Sequence, residues 1–192
     1  HERLACCDVY RAGDGVHREW LTQRRRVLSP LGKLSLLLNP YHHYVQAAES
    51  RMFLSPRLKT VICNSKMVKA EIQHYFGLPD ERFEIIYNGI DTDSFHPDLR
   101  QQHRAHMRQQ LGLTPEQPVF LYVGSGFERK GVAQALQAVA QVPEATLVIV
   151  GHDKKIASYQ KLASSLGITT RNRFVGAQKD VKAYYGMADA LL

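Results

Sequence analysis

Cysteine is scarce in this chain, with Cys6, Cys7 and Cys63 the only three among 192 residues. An odd count with two neighbours adjacent makes a poor disulfide framework and suits a reducing, cytoplasmic compartment. Long apolar runs are missing too: nothing approaches the ~18 residues of a spanning helix. The longest, such as Ala145 to Val150, are strand-sized. Internal repeats and low-complexity tracts are absent, and 44% hydrophobic content supports a buried core, which excludes a wholly disordered or collagen-like chain. Acidic residues are the minority, 18 against 25 Lys and Arg, giving a formal charge of +7. That balance favours anionic partners, with nucleotide, phospholipid headgroup and nucleic acid all open. The chain opens at His1 without a Met and stops inside the apolar run Ala188 to Leu192, so it reads as a fragment.

From about residue 118, strand-sized apolar runs alternate with helical patterns. Val119 to Val123 is continuously apolar, as expected of a strand buried on both faces, and Gly124 ends it. Val132, Ala135, Leu136 and Val139 recur at helical spacing up to Pro143. Thr146 to Val150 follows as a strand closed by Gly151, then a helix through Ile156, Tyr159, Leu162 and Leu166 with Asp153 as expected N-cap and Gly167 as stop. Phe174-Val175, a short helix from Lys179 to Met187, and a strand opening at Ala188 complete the series. This alternation predicts a parallel, right-handed α/β sheet.

The first half is less regular. Leu58 to Cys63 and Phe83 to Tyr87 read as strands, joined by a helix capped at Ser65 and closed by Gly77. Asn39-Pro40 opens a long helix whose inner face is expected to carry Tyr41, Tyr44, Val45, Ala48 and Met52. Asn88-Gly89 is a turn signal, Asp91 to Pro97 lacks periodicity, and Leu99 to Leu111 forms a polar helix, which places a domain boundary near residue 90.

The sharpest local feature is Gly124-Ser125-Gly126-Phe127-Glu128-Arg129-Lys130-Gly131, between a buried strand and a helix. Such a loop brings backbone N–H groups toward an anion, and Arg129 and Lys130 add charge where a diphosphate would lie. A dinucleotide fingerprint would need glycine at Arg129, and a Walker loop would need Lys after the last glycine, so neither NAD nor ATPase chemistry is favoured. The plain alternative is a tight turn with solvated basic residues.

Ile62-Cys63-Asn64-Ser65, then Ile85 to Asp91 with Phe95 and Pro97, then Val123 to Gly131 together resemble the family 4 retaining glycosyltransferases of the two-domain GT-B type. The wording of the glycine loop is most similar to lipopolysaccharide core glucosyltransferases. The resemblance implies two Rossmann-like domains, both incomplete here: residues 1–90 as the C-terminal part of an acceptor-side domain, and 91–192 as the N-terminal part of a donor-nucleotide domain. It implies a nucleotide diphosphate sugar donor and a saccharide or lipid-linked acceptor, with retention at the transfer step and no metal or other cofactor. Gly124, Ser125, Gly126, Arg129 and Lys130 then hold the donor diphosphate. Gly176 lies on the nucleobase side, Asn88 and Gly89 form the interdomain hinge, and Asp8 is the catalytic-side carboxylate near the reacting hydroxyl, with Asp14 and His17 as weaker candidates. Family members commonly carry arginine where Ser125 stands, so Arg129 is expected to substitute. The family's pair of glutamates seven residues apart would follow Leu192, so the chain alone is expected to be inactive.

Arg24-Arg25-Arg26, beside Trp20, Leu21 and Val27, is a candidate for peripheral contact with an anionic membrane, although charge runs are more commonly solvated. His42-His43 and the His103/His106 pair lack companions at metal-ligand spacing. The basic residues are dispersed without a stacking motif, which argues against nucleic acid. A sugar-nucleotide epimerase of the same architecture and a nonenzymatic anion-binding module remain as alternatives.

Overall fold

The computed structural model describes residues 3–192, which form two compact units that divide between Gly89 and Ile90. In the first, β1 (Val9–Ala12), β2 (Thr60–Cys63) and β3 (Phe83–Ile85) form a parallel sheet in that order. Helices α1 (His17–Arg26), α2 (Pro30–Leu38) and α3 (Pro40–Phe53) connect β1 to β2, and α4 (Lys66–Phe76) connects β2 to β3. The core is built from Ala12, Met52, Phe53, Leu58, Val61, Val68 and Ile72.

The helix starts follow local chemistry. Asn39 Oδ1 accepts from the Tyr41 N–H at 3.0 Å, with Pro40 at the first helical position. Ser65 Oγ accepts from Val68 N–H at 3.2 Å, and Gly77 closes α4 with φ +65°. The inner face of α3 differs from expectation. His42, Val45, Glu49 and Met52 are buried while Tyr41 and Tyr44 are exposed. The reason is a demand from α1, which has no side-chain cap of its own: Glu49 accepts the His17 N–H at 3.1 Å, and Glu71 accepts the Val16 N–H at 2.9 Å. Two glutamates from neighbouring helices thus satisfy the first turn of α1.

In the second unit, β4 (Val119–Val123), β5 (Thr146–Val150), β6 (Asn172–Gly176) and β7 (Ala190–Leu191) form a parallel sheet in the order β6-β5-β4-β7. Helices α7 (Val132–Ala140) and α8 (Ile156–Ser165) cover one face, packing Val132, Leu136, Val139 and Tyr159 on Tyr122, Leu147 and Ile149. Helices α5 (Leu99–Gln110) and α9 (Lys182–Met187) cover the other, where Met107 and Met187 meet Val119, Leu121, Val148 and Val150. Burial on both faces explains the unbroken apolar runs of β4 and β5.

Helix α5 is polar in sequence yet not merely solvated. Arg108 is 2% exposed, and donates to the carbonyls of Thr114, Pro115, Gln117 and Met187 as well as to Asp189 Oδ2 at 2.7 Å. Arg100 and Arg104 reach the same carboxylate, which also accepts the Val119 N–H.

Candidate functional site

In the second unit the chain passes from β4 to β5 on one side and returns as β7 on the other, so the carboxyl end of β4 is a topological switch point, where ligands of open parallel sheets bind. Three strands end there in glycines with positive φ: Gly124 (+144°), Gly151 (+145°) and Gly176 (+76°). Their backbones are laced together, Gly124 N–H donating to Val150 O at 2.8 Å and Gly151 N–H to Gly176 O at 2.9 Å. A β-carbon at Gly151 would run into the carbonyl oxygen of Gly124, whereas Gly176 borders open space.

The helix after the glycine loop is one turn, α6 (Phe127–Lys130), set between Gly126 and Gly131, both left-handed. Lys130 folds back so that its Nζ occupies the place a β-carbon on Gly124 would take. Arg129 beside it is exposed. The helix end itself is less open than the sequence suggests, because Asp153 Oδ2 accepts the Phe127 N–H at 2.9 Å. Asp153 therefore does not cap α8, whose N-cap is Lys155 without a side-chain bond; it spans from the β5–α8 loop to α6. The two N–H donors from Lys155 and Phe127 hold its carboxyl below the usual range. Ser125 and Gly126 keep N–H groups with no acceptor among the described residues. Positive charge at this edge thus comes from Lys130 and Arg129 and the open N–H groups from Ser125 and Gly126.

In the first unit, Asp8 immediately precedes β1 and so stands at the amino edge of the sheet, 3.5 Å from Arg57 and 3.7 Å from Lys59. The structure does not bring it to the carboxyl edge. Asp14 is the carboxylate there, just past Ala12, exposed and without a hydrogen bond or ion pair among the described residues. Beside it, Asn64 Nδ2 donates to Gly13 O at 2.7 Å, while Arg11 Nη2 donates to Asn88 Oδ1 at 2.8 Å. Gly89 follows with open space over its α-carbon. His17 sits one turn further on, its ring nitrogen 3.0 Å from that of His42 and its ring stacked on Trp20. Burial lowers the His17 pKa, and His42 adds to the effect. Among the described residues no group of three or more His, Cys, Asp or Glu is placed to hold a metal ion.

Two family models match in succession, Glycosyltransferase Family 4 over residues 10–94 and Glycosyl transferases group 1 over residues 103–192. The chain belongs to the GT-B glycosyltransferases. Among relatives of that family, the lipopolysaccharide glucosyltransferase WaaG of Escherichia coli (strain K12) is 30% identical over 190 residues, covering 96% of this chain and 49% of WaaG. The GDP-mannose-dependent alpha-(1-6)-phosphatidylinositol monomannoside mannosyltransferase of Mycolicibacterium smegmatis is 30% identical over 131 residues, 65% of this chain and 33% of that protein. The crystal structure of WaaG superposes with a TM-score of 0.75 at 27% identity, covering 99% of this chain and 50% of WaaG. Anabaena Alr3699/HepE, solved in complex with UDP-glucose, shares the GT-B fold at a TM-score of 0.64 and 21% identity, covering 95% and 45%. The chain spans about half the length of the first of these curated relatives, or less.

Neither Asp153 nor Glu49 was visible as a site-shaping residue in the sequence. The only signal for Asp153 is its place just after a strand-ending glycine; for Glu49 it is a carboxylate at a position in step with Val45 and Met52.

Proposed function

We propose that this chain serves a retaining transfer of a hexose from a nucleotide diphosphate sugar to a saccharide or lipid-linked acceptor in cell-envelope, lipopolysaccharide-like glycan synthesis. The observation that carries this reading is the Lys130 ammonium folded over Gly124 at the switch point of the second sheet. The second unit is the donor side and the first the acceptor side, with Asn88 and Gly89 as the hinge. When the sugar leaves its nucleotide, negative charge grows on the diphosphate. Lys130 and Arg129, with the Ser125 and Gly126 N–H groups, stabilise it without a metal. Gly176 leaves room for the base. Asp14, on the carboxyl edge of the first sheet, is the better placed carboxylate to orient an acceptor hydroxyl than Asp8, which its two basic neighbours engage.

The names of the relatives support an envelope glycan, since one is named for lipopolysaccharide and another for phosphatidylinositol monomannoside. Among the described residues no helix is long and apolar enough to cross a membrane. Helix α2 buries no residue at all, Leu31, Leu34 and Leu38 line one exposed face, and the preceding helix α1 ends in Arg24, Arg25 and Arg26. These features support peripheral contact with an anionic bilayer, on the cytoplasmic side where sugar nucleotides are found.

Calorimetric titration of the chain with UDP, GDP and ADP, followed by turnover of the full-length protein with the matching sugar nucleotides, tests the reading. Lys130→Ala is expected to weaken diphosphate binding by about 2 kcal/mol, the loss of a charge-assisted contact. Unchanged affinity removes the cradle, and a sugar epimerised without an acceptor replaces transfer with epimerisation. The anomeric configuration of the product, read by NMR, decides retention.

A further inference from the structure

We propose that Asp153 is a positioning residue for the diphosphate cradle, acting through Phe127 to set where Lys130 lies. This rests on the donor reading given above. The turn that carries Lys130 has only four residues, bounded by Gly126 (φ +76°) and Gly131 (φ +80°). A single helical turn between two flexible residues does not hold its own geometry, because one turn repays little of the entropy of fixing it. Its direction is imposed from outside, by two restraints on one residue. The Phe127 ring is fully buried, edge-on to Tyr122 at 5.7 Å and to Tyr159 at 5.4 Å. Its N–H is held from the side by Asp153 Oδ2 at 2.9 Å.

Asp153 can do this because its other oxygen accepts the Lys155 N–H at 2.8 Å, which ties the carboxylate to its own loop. That loop meets the glycine loop at three more points: Gly151 packs on the Gly124 carbonyl, His152 N–H donates to Ser125 Oγ at 3.4 Å, and Lys155 Nζ pairs with Glu128 Oε2 at 3.2 Å. Lys130, three residues beyond Phe127, is the end of this linkage, with Nζ over Gly124. A negative charge so near an anion site opposes the anion. Its presence is explained by geometry, since one carboxylate satisfies two diverging N–H groups where a neutral amide has a single acceptor oxygen.

The test uses calorimetry with UDP, GDP and ADP on the full chain, with the corresponding monophosphates as controls, alongside thermal midpoints. Asp153→Ala is expected to weaken diphosphate binding about fivefold, the size of a lost capping bond, with little change for monophosphates. Asp153→Asn is expected to recover most of it, because its one carbonyl oxygen still accepts the Phe127 N–H and the opposing charge is gone, while the Lys155 N–H loses its acceptor. The penalty of Lys130→Ala shrinks in the Asp153→Ala background, since the ammonium being removed is already misplaced. A clamp that merely supports the fold would lower the thermal midpoint and leave the Lys130→Ala penalty intact; that result, or native diphosphate affinity in Asp153→Ala, overturns the proposal. If Asp153→Ala does not fold, amide exchange at Phe127 decides. Retained protection and native affinity in Asp153→Asn support the linkage, and lost protection with unchanged diphosphate affinity refutes it. Absence of any diphosphate binding by the native chain, or of any effect of Lys130→Ala alone, strikes instead at the donor reading and brings the inference down with it.

Discussion

The ammonium of Lys130 lies in the space that a β-carbon on Gly124 would fill. Glycine at this position is thus tied to the charge it faces as well as to its own φ of +144°. Gly151, at φ +145°, is constrained differently, by the carbonyl oxygen of Gly124.

These two glycines should respond differently to alanine. At Gly124 the obstacle is the tip of a flexible side chain, which can swing away, so Gly124→Ala is expected to fold at a cost of about 1–3 kcal/mol of backbone strain. It should also lose about tenfold in nucleoside diphosphate affinity, as the displaced ammonium no longer sits at the loop. At Gly151 the obstacle is backbone that cannot move aside, and Gly151→Ala should cost more stability than Gly124→Ala. Urea denaturation of both variants, with UDP, GDP and ADP titrations of the first, measures each quantity. Equal destabilisation would contradict the geometric distinction.

Asp189 makes the second unit acid-sensitive. Burial alone would raise its pKa, but the Val119 N–H and the Arg108 and Arg104 guanidinium groups outweigh that and hold it at about 2. Its folded value lies below its unfolded value. The stabilisation is therefore complete above about pH 4 and disappears as pH falls toward about 2. The shift corresponds to about 2 kcal/mol. Asp189→Asn should remove this acid dependence and cost about 3 kcal/mol at neutral pH, because Arg108 remains buried without its carboxylate. Denaturation midpoints of the native chain and the variant between pH 2 and 7 check both statements.

Glu49 has the opposite sign. Burial raises its pKa above the ordinary carboxylate value, only partly offset by the His17 N–H and Arg3. The native state then holds its proton to higher pH than the unfolded chain, so this contribution to stability is fullest below the unfolded pKa and declines as pH rises through the folded one. Glu49→Gln keeps an acceptor for the His17 N–H and is expected to flatten that decline, while Glu49→Ala leaves the first turn of α1 open and costs about 1–2 kcal/mol. Probes placed separately in each unit should report these opposed pH slopes.

What the sequence discloses and what it conceals divide along the reach of the interactions. Strands β4 and β5 are legible because burial on both faces writes itself as an unbroken apolar run. The starts of α3 and α4 are legible because Asn39-Pro40 and Ser65 cap through residues two and three positions away. Strand β1 is hidden: four residues with Val9 exposed and Arg11 engaged by Asn88 carry no alternation strong enough to read. Only the direction of this strand separates the two edges, with Asp8 at the amino edge and Asp14 at the carboxyl edge; Asp8 came from the family resemblance, which carries no strand direction. The exchange of Tyr41 and Tyr44 for His42 and Glu49 on the buried side of α3 has the same origin, because the demand for Glu49 comes from an N–H 32 positions away. At the candidate site, the glycine loop and Lys130 were legible as local wording. The linkage through Asp153 was not, because it joins residues 26 apart.

Helix α2 offers the last prediction. Leu31, Leu34 and Leu38 lie at spacings of three and four, on one face, and are 80%, 52% and 69% exposed. A face of this kind gains free energy from water only where something apolar covers it, at about 1.5–3 kcal/mol for a fully buried leucine. The three arginines at the end of α1 add attraction to anionic headgroups of about 1 kcal/mol each near the surface. The native chain should therefore sediment with vesicles of phosphatidylglycerol mixed into phosphatidylcholine and less with phosphatidylcholine alone. Replacing Arg24, Arg25 and Arg26 by Gln should weaken that binding and its salt dependence together, since salt screens only the charged part. Leu31→Glu with Leu34→Glu should abolish binding at any salt while leaving nucleoside diphosphate affinity untouched, because α2 belongs to the first unit and Lys130 to the second. Equal binding to neutral and anionic vesicles would remove the role of the arginines, and indifference to the leucine replacements would show that this face meets something other than a bilayer.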